Sequence, residues 1–132
     1  MDLRILEIAS NTENNKIIKN YTHQAKNKNP ICGDEMEISL IVKNDLIEDM
    51  GYQCKSCVYC QASVSMLSNK IKNIKIEEIK NFIFSLDSFF EDIEIKVEKN
   101  WVSFKEILNK KNISRKECLL LPFRTISKAL KF

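Results

Sequence analysis

Between Met36 and Val42 the apolar residues Met36, Ile38, Leu40 and Val42 alternate with Glu37, Ser39 and Ile41. A period of two is that of a half-buried strand. Asn44-Asp45 supplies turn chemistry before a second candidate strand, Leu46 to Gln53, and the two strands are expected to pair as an antiparallel hairpin. Beyond Cys57 the spacing becomes helical: Ala62, Met66, Leu67 and Ile71 fall on one face of a helix that reaches about Lys72. Ile76, Ile79, Phe82, Ile83, Leu86, Phe89 and Phe90 recur at three- and four-residue intervals, which predicts a second helix with a broad buried stripe.

The remaining segments carry weaker patterns. Leu3, Ile5, Leu6 and Ile8 suit a short first helix, whereas Asn11 to Lys28 is polar apart from Ile17, Ile18 and Tyr21. Ile93, Ile95 and Val97 alternate briefly, so Asp92 to Lys99 reads as a short strand or an extended connection. Ser103 with Glu106, and Ser114 with Glu117, have capping-box spacing and are expected to open two helices. The second of these carries Cys118 in its first turn. Pro122 cannot donate a backbone hydrogen bond, which predicts a kink or restart before Ile126, Ala129 and Leu130. The expected fold class is α+β, a small antiparallel sheet packed against several helices. The chain is expected to be a single domain over residues 1–132.

Composition narrows the function classes. Hydrophobic residues make up 44%, with two Gly and two Pro, which suits one compact core. Met1 to Ala9 lacks the basic start and apolar stretch of a secretory signal, and no segment stays apolar for about 18 residues. A soluble, cytoplasmic protein is expected. The net charge of +3 arises from scattered charges with no dense basic run, so nucleic acid is not an expected partner. Five cysteines, an odd number, argue against a complete set of internal disulfides and for thiols open to metal or sulfur chemistry.

Cys32-Gly33-Asp34 sets a thiol and a carboxylate two residues apart in a turn before the first strand, where Gly33 permits a tight backbone. Cys57 stands at the expected start of a helix, where exposed amides favour a thiolate, and Cys118 gains from the same field. Three thiolates and a carboxylate suffice for a tetrahedral zinc site and also suit iron–sulfur chemistry. Cys54, Cys57 and Cys60 form a C-x-x-C-x-x-C run, so a second ligand set with Cys118 is also open. His23 lies in a polar stretch and reads as a surface residue. Trp101 and the phenylalanines read as core, and Tyr59 as packing beside the site.

Three ordered segments carry a family resemblance. Asn29-Pro30-Ile31-Cys32-Gly33-Asp34 resembles the N-P-x-C-G-D signature of the IscU/NifU/SufU scaffolds, and Leu46-Ile47-Glu48-Asp49 the strand segment that follows it there. Cys57 to Met66 resembles C-x-x-S-x-A-S-x-S-M, and Arg115 to Phe123 resembles R-x-x-C-x-x-L-x-W. The resemblance implies that Cys32, Asp34, Cys57 and Cys118 hold zinc, iron or a [2Fe-2S] cluster. It also implies a scaffold or carrier that meets a cysteine desulfurase and apo iron–sulfur acceptor proteins and turns over no substrate alone. The spacing of Cys57 from Cys118, with no His before Cys118, is similar to the SufU-type branch, whose members are zinc-bearing sulfur acceptors. Arg115, one turn before Cys118, is the expected contact for a persulfide or a partner's acidic group. Two departures stand out: Cys54-Lys55-Ser56 replaces a Gly-x-Gly lead, and Cys60 replaces a Ser. Residues 1–28 match the family's opening segment poorly.

Overall fold

The computed structural model describes residues 3–31, 33–91 and 96–132. Its elements, in order, are α1 (Leu3–Ala9), β1 (His23–Lys28), β2 (Glu35–Lys43), β3 (Leu46–Lys55), α2 (Val58–Lys70), α3 (Ile76–Phe84) and α4 (Lys116–Leu130). Short 3₁₀ segments at Leu86–Phe90, Lys99–Glu106 and Lys110–Arg115 link α3 to α4. The fold class is α+β, with a three-stranded antiparallel sheet in the order β1-β2-β3.

The expected hairpin forms, with Glu35 paired to Lys55 at its open end. Asn44 and Asp45 close it at φ of 53° and 61°, the paired positive values that match the right-handed twist of the flanking strands. One strand was not anticipated. β1, His-Gln-Ala-Lys-Asn-Lys, buries only Ala25, so it has no hydrophobic alternation to read, yet it pairs with β2 from His23↔Leu40 to Lys28↔Glu35. Backbone pairing and the packing of α4 across β1 and β2 hold it.

Further expectations need correction. The predicted second helix stops at Phe84, where Ser85 turns its hydroxyl onto the Phe82 carbonyl (2.7 Å), and a 3₁₀ turn carries Leu86, Phe89 and Phe90 into the core. Ser103 caps nothing: its segment begins four residues earlier at Lys99, and its Oγ is buried without a hydrogen-bond partner. Ser114 lies inside the 3₁₀ turn ahead of α4, and Arg115 takes the cap position. Pro122 brings no restart, because α4 runs through it with its apolar face buried. The alternation at Ile93 and Ile95 lies outside the described residues; Lys96 to Glu98 form no regular element.

Buried residues from Ile5 to Ala129 form one hydrophobic cluster. Phe82 stacks on Trp101 with centroids 4.3 Å apart and planes 6° from parallel, Phe123 packs edge-on against Phe82, and Phe104 lies tilted beside them. Phe123 anchors α4 in this cluster. The segment after α1 is strapped over β3 by Asn14, which is buried. Asn14 Nδ2 donates to Ser68 Oγ and Asn69 Oδ1 (both 3.1 Å), its Oδ1 accepts from Lys72 Nζ (2.7 Å), and its carbonyl accepts from Tyr52 N–H (3.2 Å). Gly51 makes room for the strap, since a Cβ there would lie 2.6 Å from the Lys16 carbonyl oxygen.

Candidate metal centre

The open end of the β2–β3 hairpin positions the site. Asp34 immediately precedes β2 and Cys57 follows β3 by two residues, so the Glu35↔Lys55 pair brings both to one place. Cys57 is the N-cap of α2, with extended backbone (φ −70°, ψ 166°), and its own N–H donates to Asp34 Oδ1 (3.2 Å). Cys118 arrives from α4, in its first turn as expected. Ser63 Oγ donates to the Leu119 carbonyl (2.6 Å), a buried bond that ties α2 to the residue following Cys118.

A carboxylate oxygen of Asp34 and the Sγ atoms of Cys57 and Cys118 lie within 4.8 Å of one another. Among the described residues no other group of His, Cys, Asp or Glu converges in this way. Tetrahedral zinc bonds, at about 2.3 Å to sulfur and about 2.0–2.2 Å to oxygen, set neighbouring donors somewhat closer than 4.8 Å, so a small inward movement would seat an ion. Asp34 and Cys118 are buried and Cys57 is half-buried. Asp34 Oδ2 is buried with no hydrogen-bond partner, a costly arrangement for a carboxylate unless something else satisfies it. Soft thiolates and one hard oxygen fit zinc or iron. Two helix N-termini, those of α2 and α4, add a field that favours the anionic ligands.

Cys32 lies outside the described residues. Gly33, beside it, has φ of 77°, the left-handed region where glycine carries no penalty. The loop is drawn tight by Asn29, the first residue of the motif segment, to which the sequence alone assigned no role. Its Oδ1 accepts from Ile31 N–H (3.0 Å), its carbonyl from Gly33 N–H (2.8 Å), and its own N–H donates to the Asp34 carbonyl (2.8 Å). An Asn opening a turn is the signal that could have found it. Ser63 stands in the Cys57 to Met66 motif segment, and a small polar residue on a helix face otherwise destined for the core is the further signal of its buried bond.

Cys54 ends β3, half-buried, and Cys60 is fully buried in the first turn of α2. Burial pushes both thiols up, and the nearby Asp34 and Cys57 push them further. Neither joins the Asp34–Cys57–Cys118 group. Arg115 is exposed at the cap of α4, its guanidinium 5.3 Å from the centre of the Tyr59 ring on α2. Trp101 is core, and His23 is a half-buried strand residue away from this cluster.

The IscU iron–sulfur cluster assembly scaffold protein of Thermotoga maritima is 28% identical over 129 residues, spanning 96% of this chain and 89% of that protein. The zinc-dependent sulfurtransferase SufU of Bacillus subtilis is 29% identical over 79 residues, 60% of this chain and 51% of that protein. In fold, the chain superposes on the N-terminal part of a nitrogen-fixing NifU-like protein from Brucella abortus with a TM-score of 0.88 at 19% identity, over 98% of this chain and 91% of that one. With its residues 2–95 matched, a stretch that takes in Asp34 and Cys57, the chain belongs to the NifU-like N terminal domain family.

Proposed function

We propose that this chain is an iron–sulfur cluster assembly scaffold that takes sulfur from a cysteine desulfurase and holds iron and sulfide, as cargo, on Cys32, Asp34, Cys57 and Cys118. The carrying observation is the convergence of Asp34, Cys57 and Cys118 within 4.8 Å, with a buried Asp34 oxygen that no protein group satisfies. Similarity to the IscU scaffold along nearly the whole chain supports the same reading. A [2Fe-2S] cluster is the expected cargo, and apo iron–sulfur proteins are the expected recipients. Arg115, exposed beside Tyr59 where α2 and α4 begin, is suited to meet a persulfide or an acidic group of the desulfurase. No helix among the described residues is long and apolar enough to cross a membrane.

The test is metal and acid-labile sulfide analysis after purification without oxygen, with and without the desulfurase of the same organism, cysteine and ferrous iron. Bound iron and sulfide in the complete mixture, lost in Cys57→Ser and Cys118→Ser, are the expected result. Absence of both in the wild-type protein overturns the reading.

A second reading is favoured by the similarity to the zinc-dependent sulfurtransferase: Asp34 and the thiolates would hold zinc and one thiolate would relay sulfur with no cluster built. Zinc, when bound, would keep its thiolate ligands deprotonated. Zinc kept through aerobic purification, together with faster alanine production by the desulfurase, selects this reading over the first.

A further inference from the structure

Cys60 stands apart from the ligand group, yet the fold places it one helical turn from Cys57. Cys57 caps α2, Cys60 is the third residue inside it, and the Gln61 N–H bond to the Cys57 carbonyl (3.0 Å) closes the first turn between them. At a rise of 1.5 Å and a radius of about 2.3 Å, residues three apart on a helix have Cα atoms roughly 5 Å apart. Disulfides span Cα separations of about 4.4–6.8 Å, so the spacing of Cys57 and Cys60 along α2 falls within the range a disulfide needs. Cys57 is half-buried and open to a sulfur donor, while Cys60 is 0% exposed and can react only with a neighbour. Among the described residues, this combination of a half-buried cysteine at a helix start and a sealed one a turn later occurs once.

We propose that Cys60 is a resolving thiol for sulfur carried on Cys57, releasing that sulfur as hydrosulfide inside the site. The inference rests on the proposed role of Cys57 as a sulfur acceptor. Cys60 Sγ attacks Cys57 Sγ of the persulfide and a bond forms between the two side chains. The bond from Cys57 Sγ to the outer sulfur breaks, and its electron pair leaves with that sulfur, which takes the Cys60 proton and departs as HS⁻. Two thiols are oxidised to a disulfide and one sulfane sulfur is reduced to sulfide, so the step balances with no outside oxidant. A dithiol reductant then returns Cys57 and Cys60 to thiols. Cluster assembly needs sulfide, whereas a persulfide delivers sulfur two electrons more oxidised. Cys60 would supply that reduction within the chain.

The experiment loads the full-length, metal-free protein chemically with sodium polysulfide under anaerobic, thiol-free conditions, which bypasses the desulfurase. After the excess is removed, released sulfide is followed over time and the cross-link is located by peptide mass mapping. Wild-type protein is expected to release sulfide in step with persulfide loss and to accumulate a Cys57–Cys60 disulfide. Cys60→Ser and Cys60→Ala are expected to retain the persulfide and to slow release by at least about tenfold, while Cys54→Ser releases as wild type. A wild-type cross-link from Cys57 to Cys54, Cys32 or Cys118 overturns the proposal. Unslowed release from folded Cys60 variants, or release that rises with protein concentration through linked dimers, does the same. The wild-type map decides the matter even if neither Cys60 variant folds. Failure of a desulfurase to load Cys57 would count against the scaffold reading and leave this chemistry standing.

Discussion

At the scale of single residues, the site depends on a few backbone geometries that side-chain chemistry alone does not reveal. Gly33 adopts φ of 77° in open space, so a methyl group there meets no neighbour and the whole cost of adding one is conformational. Gly33→Ala is expected to lower stability by about 1–2 kcal/mol, read by denaturant unfolding of the metal-free protein. An unchanged midpoint would mean the loop relaxes out of the left-handed region. Asp34 and Cys57 were legible because each lies in a segment that resembles a family motif and carries a side chain with ligand chemistry. Asn29 and Ser63 stand in the same motif segments, but their roles were not legible, because what they do is position backbone carbonyls and amides of other residues. A hydrogen bond such as Ser63 to the Leu119 carbonyl joins residues 56 apart and leaves no local trace.

At the scale of elements, α2 and α4 bring Cys57 and Cys118 together, and their mutual seating decides the shape of the site. Ser63→Ala removes one buried bond between them and is expected to cost about 1 kcal/mol in thermal or chemical unfolding. Trp101→Ala opens the aromatic cluster that anchors Phe123 of α4 and is expected to cost about 3–5 kcal/mol. Strand β2 was legible from its alternation, β3 from the turn at Asn44-Asp45 that precedes it, and α2 from the spacing of Ala62, Met66, Leu67 and Ile71, although α2 buries every residue from Ala62 to Ser68. β1 was not, because a strand held by backbone pairing can have almost any polar side chains. The region from Leu86 to Arg115 misled in another way: capping-box spacing at Ser103 and Ser114 is a local preference, and burial of Trp101, Phe104 and Ile107 overrode it. Pro122 costs α4 a single backbone bond, and the buried apolar face from Cys118 to Ala129 outweighs that loss.

At the scale of the whole molecule, the strap around Asn14 joins the N-terminal segment to β3 and to the end of α2, and charge reinforces it. Lys16 and Lys72 both reach Asp49, at 3.1 and 3.6 Å. Burial opposes ionisation of Asp49, but the Lys16 hydrogen bond, the Met50 amide and the two lysine charges outweigh it and hold the carboxyl below its usual range. A depressed folded value means stability that is present above the unfolded carboxyl range and is lost as pH falls through the folded one. Wild-type protein should therefore lose stability on acidification more steeply than Asp49→Asn, a difference that thermal melts across the acid range would show. The strap also sets an order of events. Its side-chain bonds from Asn14 span 54 and 58 positions of chain, so each requires a long loop to close before it contributes anything. Contacts of that kind are expected to form after the transition state, once the hairpin and α2 already exist as a surface to close on. Asn14→Ala should consequently leave the refolding rate close to wild type and speed unfolding, placing its whole effect on one arm of the chevron. On that expectation the strap is a latch whose strength sets how long the native state lasts and not how fast it is reached.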